Sequence, residues 1–271
     1  MGESPQGIRV PYLSLIVPAY NEGTRLGTTL RMITDYLLAQ PYTWELLVID
    51  DGSTDATLAL AQRFAAAHSE LALRVIPNPH RGKAYTVRTG VMAARGKVVG
   101  FTDADLATPI DTLAAAIERF AAGADVVIGS REGLGAVRQD EPTYRHLMGR
   151  VFNGLVQIVA LPGIQDTQCG FKLLRGPVAH KLFAASHLYG ERSAVPQGPA
   201  VTGFDVEILY LARRYGYRIA EVPVVWQYVA ESKVNPLRDT LRNLNDLLMV
   251  RVNSLRGRYR ETSARSGDST R

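Results

Sequence analysis

The chain has 271 residues, 46% of them hydrophobic and 21% charged, a composition typical of a globular protein with one large domain or two small ones. Its single cysteine excludes an internal disulfide framework, and its five histidines lack the spacing of zinc ligands. The formal net charge of +5 favours an anionic ligand or an anionic membrane surface as partner.

The first half of the chain alternates predicted strands and helices. We expect a loose tail over 1–11, strands over 13–18, 44–49, 73–76, 98–101 and 125–129, and helices over 26–37, 56–67, 83–94 and 109–121. Ser53 or Thr54 is expected to cap the second of these helices. Strands that alternate with helices of this length predict βαβ units and a mostly parallel sheet.

The second half is less regular. After a polar and basic stretch over 130–146, an apolar segment over 147–164 is broken by Pro162 and Gly163. We predict a loop leading into a strand over 166–174, helices over 177–185, 206–215 and 237–255, a strand over 219–225 and a mobile loop over 186–203. No signal peptide is recognisable and no run of about 18 apolar residues is present, so we expect no membrane-spanning helix.

Two aspartates, Asp103 and Asp105, directly follow the predicted strand over 98–101. Side chains two positions apart on an extended chain point the same way, and ligands of open α/β sheets bind beyond the carboxyl ends of the strands. Magnesium is typically held by one or two carboxylates together with substrate phosphates. The pair therefore indicates a metal-bound nucleotide diphosphate, with an acidic turn before the next helix as the alternative.

Polar residues also follow the first two predicted strands: Tyr20 and Glu22 after the first, Asp50 and Asp51 after the second. Because the carboxyl ends of parallel strands meet at one edge of a sheet, we expect these loops to lie beside the aspartate pair. Carboxylates at such an edge suit the base and ribose of a nucleotide. The first loop has no Gly-x-Gly-x-x-Gly pattern, which disfavours a dinucleotide.

The segments over 17–22, 48–55 and 103–105 resemble those of the inverting family 2 glycosyltransferases of the GT-A fold. Four later segments are similar to the dolichyl-phosphate β-glucosyltransferases and their bacterial polyprenyl-phosphate relatives: 81–84, 129–131, 166–172 and 204–207. The resemblance covers about residues 12–256 and implies an α/β fold, a single GT-A domain with a Rossmann-like, mostly parallel central sheet, flanking helices and an amphipathic C-terminal helix. It implies a nucleotide-sugar-binding half over 12–130, an acceptor-binding half over 131–256 and a disordered tail over 257–271.

By position, the resemblance assigns roles to individual residues. The nucleotide sugar would be bound by Pro18, Tyr20, Glu22, Asp50, Asp51, Lys83, Asp103 and Ala104. Asp103 and Asp105 would hold Mg²⁺ or Mn²⁺, with water completing the shell because Ala107 stands where mannosyl relatives often carry a further polar residue. Arg131, Arg145 and Asp166 would be catalytic, and Arg131, Arg145 and Lys172 would bind the acceptor phosphate. Since a phosphate monoester is mostly dianionic at neutral pH, we expect Asp166 to position groups rather than to remove a proton.

A basic stretch precedes an apolar stripe in the second half. We expect Arg138 and Arg150 to belong to a solvated face. The stripe is either packed in the core or part of a shallow interfacial helix that gives a lipid access to the site, and it comprises Leu147, Val151, Leu155, Ile158 and Val159. The last helix carries a stripe that we expect to pack mainly on the core, formed by Leu237, Leu241, Leu244, Leu248, Val252 and Leu255.

The resemblance implies a metal-dependent, inverting transfer of a hexose, glucose from UDP-glucose, to a dolichyl or polyprenyl phosphate. The alternatives are transfer of mannose or another hexose to the same lipid, transfer to a saccharide acceptor, and a nucleotide-sugar-binding module without catalysis. The expected partners are the UDP-sugar, the lipid phosphate and a membrane surface, with no nucleic acid. We expect a peripheral protein on the cytoplasmic face of a membrane.

Overall fold

Five strands and four helices alternate along the first half of the chain, as predicted. The computed structural model describes residues 10–189, 203–228 and 236–259. The elements of the first half are β1 (Leu13–Ala19), α1 (Leu26–Leu38), β2 (Trp44–Asp50), α2 (Thr57–Ala67), β3 (Leu73–Pro77), α3 (Lys83–Ala93), β4 (Val98–Phe101), α4 (Thr112–Ala121) and β5 (Val126–Ser130). The second half contributes β6 (Val137–Gln139), α5 (Thr143–Val159), β7 (Lys172–Arg175), α6 (Gly176–Ala185), α7 (Phe204–Arg214), β8 (Ile219–Pro223), β9 (Val225–Gln227) and α8 (Pro236–Leu255). Most of the predicted N-terminal tail and of the predicted loop over 186–203 lies outside the described residues.

Seven strands form the central sheet in the order β3-β2-β1-β4-β7-β5-β8. β1 is parallel to β2 and β4, β2 is parallel to β3, and β5 is parallel to β8, so the prediction of a mostly parallel sheet is confirmed. β7 is the exception, because it runs antiparallel between β4 and β5, with Phe101 paired to Lys172. The chain therefore enters β7 at the edge where the parallel strands end.

Side chains on the two faces of the sheet form two apolar clusters. Ile16 of β1 belongs to the cluster that includes residues of α3, α5, α6, α7 and α8. Leu15 and Val17 belong to the cluster that includes residues of α1, α2 and α4. Helices cover both faces, which explains why the central strands are continuous apolar runs. The polar residues at the ends of these strands consequently lie at the edge of the sheet rather than on its faces.

A small two-stranded ribbon is not apparent from the sequence. β6 and β9 have three residues each, run parallel, and pair Arg138 with Trp226. The prediction of one strand over 219–225 is therefore wrong in extent, because β8 and β9 are separate strands with the buried Val224 between them. Strands this short show no measurable period in the sequence.

The start of α2 is fixed differently from the prediction. Ser53 and Thr54 do not cap this helix, and Asp55 Oδ1 instead accepts a hydrogen bond from the backbone N–H of Thr57 at 2.9 Å. Ser53 Oγ accepts from the N–H of Asn21 at 2.9 Å, and the N–H of Thr54 donates to Asn21 Oδ1 at 2.9 Å. These bonds tie the loop after β2 to the loop after β1, where Asn21 adopts a φ of +52°.

The C-terminal end of the described chain is part of the core. Tyr259 is buried, and its hydroxyl donates a hydrogen bond to Glu207 Oε1 at 2.6 Å. The prediction of a disordered tail from residue 257 is therefore wrong for 257–259. This segment turns back after α8 and packs against α7.

The buried face of α8 also differs from the predicted stripe. Leu248 and Leu255 are exposed, whereas Leu247 and Val250 are buried. The expectation that the leucine stripe packs on the core is wrong for these two exposed positions, because the helix is rotated so that Leu247 and Val250 face the core.

Within the ranges that the structure describes, no helix has the length and apolarity needed to cross a bilayer.

Candidate active site

The carboxyl ends of β1, β2, β4 and β5 lie along one edge of the sheet, as the strand directions require. Asp103 and Asp105 lie in the loop between β4 and α4. Ala104 between them is buried, and its carbonyl oxygen accepts a hydrogen bond from Thr29 Oγ1 at 2.6 Å. Gly170, in the segment that leads into β7, passes so close that a Cβ there would overlap the Asp103 carboxylate. The second half of the chain thus contributes directly to this edge.

The two carboxylates are incompletely compensated by positive charge. Lys83, the first residue of α3, forms an ion pair with Asp103. Burial lowers the pKa of Lys83, but Asp103 and Asp205 outweigh this effect and raise the pKa, so the ammonium group stays charged. Burial and the charge of Asp103 raise the pKa of Asp105, whose Oδ1 accepts a hydrogen bond from the N–H of Ala107 at 3.0 Å. The arrangement therefore favours a further cation.

Asp51 fixes the loop that precedes α3. Its Oδ1 accepts a hydrogen bond from the N–H of Arg81 at 2.8 Å, and its Oδ2 accepts from the N–H of Gly82 at 2.9 Å and lies 2.9 Å from His80 Nδ1. This buried carboxylate sets the position of Gly82 and hence of Lys83. The predicted contact of Asp51 with the nucleotide stays a prediction.

Asp50 and a pair of stacked rings lie beside this loop. The rings of Tyr20 and His80 are stacked with their centroids 4.2 Å apart. Asp50 is buried, its Oδ2 accepts a hydrogen bond from the N–H of Ser53 at 3.1 Å, and its Oδ1 has no donor among the residues described. A buried carboxylate oxygen without a donor is costly, so it suits an N–H or O–H group of a ligand.

Pro18 and Glu22 complete the predicted donor-binding residues. Pro18 lies in β1 opposite Ile49 of β2. The Glu22 carboxylate is 2.8 Å from Arg25 Nε, and the N–H of Glu22 donates to Thr57 Oγ1 at 2.7 Å. The structure therefore brings the predicted donor residues to the same edge as Asp103 and Asp105, with Glu22 already in an ion pair.

Arg131, directly after β5, is bound by Asp166 through three hydrogen bonds. Nε and Nη2 of Arg131 donate to Oδ2 and Oδ1 at 2.6 and 2.9 Å, and the backbone N–H donates to Oδ2 at 3.0 Å. Burial raises the pKa of Asp166, but the charge and hydrogen bonds of Arg131 outweigh burial and hold this pKa well below its ordinary value. Asp166 is therefore ionised at neutral pH and is a weak base. The Arg131 side chain, 19% exposed, has a fixed orientation.

Two polar residues that sequence reasoning missed hold the segment before Asp166. Glu221 on β8 accepts hydrogen bonds from the N–H groups of Gln165 at 3.0 Å and Asp166 at 3.1 Å. Asn153 on α5 donates through Nδ2 to the carbonyl oxygen of Gln165 at 2.7 Å. The sequence signal for Asn153 is its amide inside an otherwise apolar helical segment, whereas Glu221 carries no local signal.

The side chain of Lys172 is buried next to the site. It is 1% exposed, its Nζ lies 2.6 Å from Asp205 Oδ1, and it donates to the carbonyl oxygen of Cys169 at 2.6 Å. Burial raises the pKa of Asp205, and the charge of Lys172 opposes that rise. These contacts contradict the prediction that Lys172 binds the acceptor phosphate, because the ammonium group is inaccessible and already neutralised.

The sequence is similar to those of known proteins over most of its length. The model of the family described as "Glycosyl transferase family 2" matches residues 14–183. The chain belongs to this family. Two relatives named dolichyl-phosphate β-glucosyltransferase are similar to this glycosyltransferase. The Drosophila melanogaster relative is 36% identical over 264 residues, with 93% of this chain and 78% of the relative covered. The Homo sapiens relative is 33% identical over 265 residues, with 92% and 77% covered.

Solved structures share the fold of this family 2 glycosyltransferase. The mannosyltransferase PcManGT from Pyrobaculum calidifontis, solved with GDP-Man and Mn²⁺, has a TM-score of 0.58 at 24% identity, covering 93% of this chain and 66% of that chain. The glucosyl-3-phosphoglycerate synthase from Mycobacterium tuberculosis, solved with Mn²⁺, UDP-Glc and phosphoglyceric acid, has a TM-score of 0.60 at 19% identity, covering 89% and 79%. The predicted GT-A fold is thereby confirmed.

The basic stretch of the glycosyltransferase is only partly solvated. Arg138 is 16% exposed, with Nη2 2.7 Å from Glu132 Oε1 and Nη1 2.6 Å from Glu141 Oε2. The expectation of a solvated Arg138 is therefore wrong, because two glutamates close in sequence enclose it. Arg150 is exposed, as expected, with Nη1 3.5 Å from Glu132 Oε2. Arg145 lies in α5, and its side chain is outside the described part of the structure.

One face of α5 is apolar and exposed. The exposed residues are Leu147, Val151, Leu155 and Ile158, and the exposed fraction of Ile158 is 84%. Phe152 and Val156 on the opposite face are buried in the core, and Val159 packs against the core. Of the two interpretations of this stripe, the structure favours an exposed surface over core packing at every position except Val159.

Proposed function

We propose that this enzyme transfers glucose from UDP-glucose to a dolichyl or polyprenyl phosphate, with inversion at the anomeric carbon. The observation that carries the proposal is the oriented, partly exposed guanidinium group of Arg131 at the same sheet edge as Asp103 and Asp105. Guanidinium groups bind phosphate bidentately. The names of relatives that cover most of the chain support glucose and dolichyl phosphate as the substrates.

The nucleoside of the donor would lie across the loops after β1 and β2. The stacked rings of Tyr20 and His80 offer an aromatic surface for a base, and Asp50 Oδ1 offers an acceptor for an N–H or O–H group. Leaving such a buried acceptor unpaired costs about 1–3 kcal/mol, and a bound nucleoside would remove that cost. Uracil carries a single ring N–H on its pairing edge, which fits one acceptor.

Asp103 and Asp105 would hold Mg²⁺ or Mn²⁺ together with the diphosphate. Their carboxylate oxygens suit these ions, and burial together with the charge of Asp103 raises the pKa of Asp105, an effect that a bound cation would offset. When bound, the ion supplies Lewis-acid neutralisation of the leaving diphosphate. Lys83, which is paired with Asp103, adds positive charge on the same side. The two solved structures named above contain Mn²⁺, which supports the use of a divalent ion.

The acceptor needs no general base in this proposal. A phosphate monoester has a second pKa near ~6 and is mostly dianionic at neutral pH. One of its oxygens forms a bond to the anomeric carbon while the bond from that carbon to the diphosphate oxygen breaks, and UDP leaves with the electron pair. Arg131 binds the acceptor phosphate and Asp166 orients the guanidinium group. The protein's main tasks are thus to hold two anions together and to align them.

The exposed face of α5 would hold the enzyme on the membrane that contains the acceptor. Aliphatic side chains at four positions of one helix face suit the boundary between headgroups and acyl chains. Arg150, exposed on the same helix, suits anionic headgroups. The polyprenyl chain would stay in the bilayer while its phosphate reaches Arg131.

Extraction of the product into organic solvent tests the proposed function. The enzyme is incubated with Mg²⁺ or Mn²⁺, radiolabelled UDP-glucose and a polyprenyl phosphate, and in parallel with GDP-mannose, UDP-galactose or an oligosaccharide acceptor. We expect extractable β-linked product from UDP-glucose and none from Asp105→Asn. Product from GDP-mannose alone, or transfer to the oligosaccharide alone, would instead support another reaction of the family.

A further inference from the structure

The ribbon of β6 and β9 joins the two sides of the candidate active site. The N–H of Gln227 donates to the carbonyl oxygen of Ala107 at 2.9 Å, in the loop that follows β4. Directly before β9, the N–H of Val224 donates to the carbonyl oxygen of Ser130 at 3.0 Å, and Ser130 itself directly precedes Arg131. This short segment is therefore bonded both to the loop that carries the aspartate pair and to the end of β5.

Trp226, in the middle of β9, lies close to two guanidinium groups. Its ring centroid is 5.3 Å from Arg131 Cζ and 6.0 Å from Arg138 Cζ. Arg138 is itself held by Glu132 and Glu141, and its Nε donates to the carbonyl oxygen of Arg131 at 3.2 Å. A guanidinium group within about 6 Å of an indole ring centroid makes a cation–π contact, which favours its position beside the ring.

The Arg131 side chain is consequently restrained by two different groups. Asp166 binds the edge formed by Nε and Nη2, and the Trp226 ring contacts the same guanidinium group. Nη1 of Arg131 has no hydrogen-bond acceptor among residues 10–189, 203–228 and 236–259. Nη1 and the second N–H of Nη2 therefore remain to bind an oxyanion.

We propose that Trp226 is a positioning residue for Arg131. The ring holds the guanidinium group so that Nη1 is presented to the acceptor phosphate, and the ribbon sets the spacing between that phosphate and the donor loop. The inference rests on the proposed function, because it takes Arg131 as the ligand of the acceptor phosphate. Trp226 lies outside every segment on which the family resemblance depends.

Steady-state kinetics separate this role from a purely structural one. Trp226→Leu keeps an apolar side chain but removes the ring. We expect the KM for polyprenyl phosphate to rise about tenfold, because this is the effect of losing a partly desolvated cation–π contact. We also expect kcat to fall. Trp226→Tyr, which keeps an aromatic face, should restore most of the activity. The Kd for UDP should match wild type in both variants. Unchanged kinetics in Trp226→Leu, or an equal loss of UDP binding, would overturn the proposal.

Fluorescence gives a readout that does not depend on turnover. The chain has two tryptophans, so Trp44→Phe leaves Trp226 as its only indole. Trp44 begins β2, at the opposite edge of the sheet. We expect farnesyl phosphate to change the emission of Trp44→Phe saturably and to have no effect once Arg131→Gln is added. Trp226→Phe, which retains Trp44, should not respond. No response in Trp44→Phe, or a response in Trp226→Phe, contradicts the assignment.

Wild-type turnover distinguishes the two ways in which the inference can fail. If the wild-type enzyme does not glucosylate polyprenyl phosphate, the proposed function fails, and the fluorescence titration alone decides whether Trp226 and Arg131 share a phosphate site. If the wild type is active and Trp226→Leu has the same KM and kcat, the proposed function stands and the positioning role of Trp226 is wrong.

Discussion

Asp166 shows how the surroundings of a side chain decide its chemistry. Held by Arg131 on both oxygens, it stays ionised and orients a guanidinium group. We expect Asp166→Asn to lower kcat/KM about a hundredfold, because small misplacements of a binding group cost this much, without a new pH dependence above pH 7. Rates measured from pH 6.5 to 9 check this. A steep new pH dependence that alkaline buffer restores would show that proton removal limits the reaction.

The same pair makes the stability depend on pH in a defined direction. The folded-state pKa of Asp166 lies well below the ordinary value of about 3.9. The pair of Arg131 and Asp166 therefore stabilises the folded state fully at any pH above about 3.9, and this stabilisation is lost as the pH falls through the folded-state pKa. We expect the free energy of unfolding of Asp166→Asn to be about 3 kcal/mol lower than that of wild type. This difference should be the same at every pH from 8 to 5. Urea unfolding at each pH measures this difference. A difference that already shrinks between pH 7 and pH 5 would contradict the pKa.

At the scale of single elements, α5 combines a buried face with an exposed apolar one. Ile158→Asp should leave the fold and the Kd for UDP unchanged, because this side chain is exposed. Vesicle binding should fall at least about tenfold, since burying an aliphatic side chain is worth about 1.5–3 kcal/mol. Co-sedimentation with vesicles containing anionic lipids measures this loss.

Leu38→Asp is the matched control for this measurement. Leu38 is also an exposed aliphatic residue, but it ends α1 on the opposite face of the sheet. We expect wild-type vesicle binding from Leu38→Asp. An equal loss in both variants would mean that general apolarity, rather than the face of α5, governs association with the membrane.

The segment after α8 is an element of the core although it has no regular secondary structure. The Tyr259 hydroxyl satisfies Glu207, a carboxyl group whose pKa burial raises. Ending the chain after Arg256 removes a buried aromatic ring, so we expect a loss of about 3–5 kcal/mol in the free energy of unfolding. Ending it after Tyr259 should cost little. Thermal unfolding of the two truncated chains compares them, and equal melting temperatures would contradict the packing role of Tyr259.

At the scale of the whole molecule, sequence reasoning succeeded where the signal is local. The apolar runs of β1, β2 and β4 end in polar loops, so both the strands and their common edge follow from the sequence. The ribbon could not be predicted, because each strand has three residues and pairs with a distant one. The enclosure of Lys172 could not be predicted from the sequence. It depends on the position of β7 in the sheet next to Asp205 of α7, and no local sequence pattern indicates this position.

The insertion of β7 between β4 and β5 also limits how the chain can be divided. β7 belongs to the second half of the sequence, yet it completes the sheet of the first. A cut between 130 and 131 would leave β4 and β5 with unpaired apolar edges, which favour aggregation. We expect the fragments 1–130 and 131–271 to be insoluble alone and to assemble into a UDP-binding complex only when they are coexpressed. Soluble yield and UDP binding measure this, and a soluble, UDP-binding 1–130 fragment would contradict it. Because the two sequence halves share one sheet and are not independent units, we expect engineering of specificity to work loop by loop on an intact sheet.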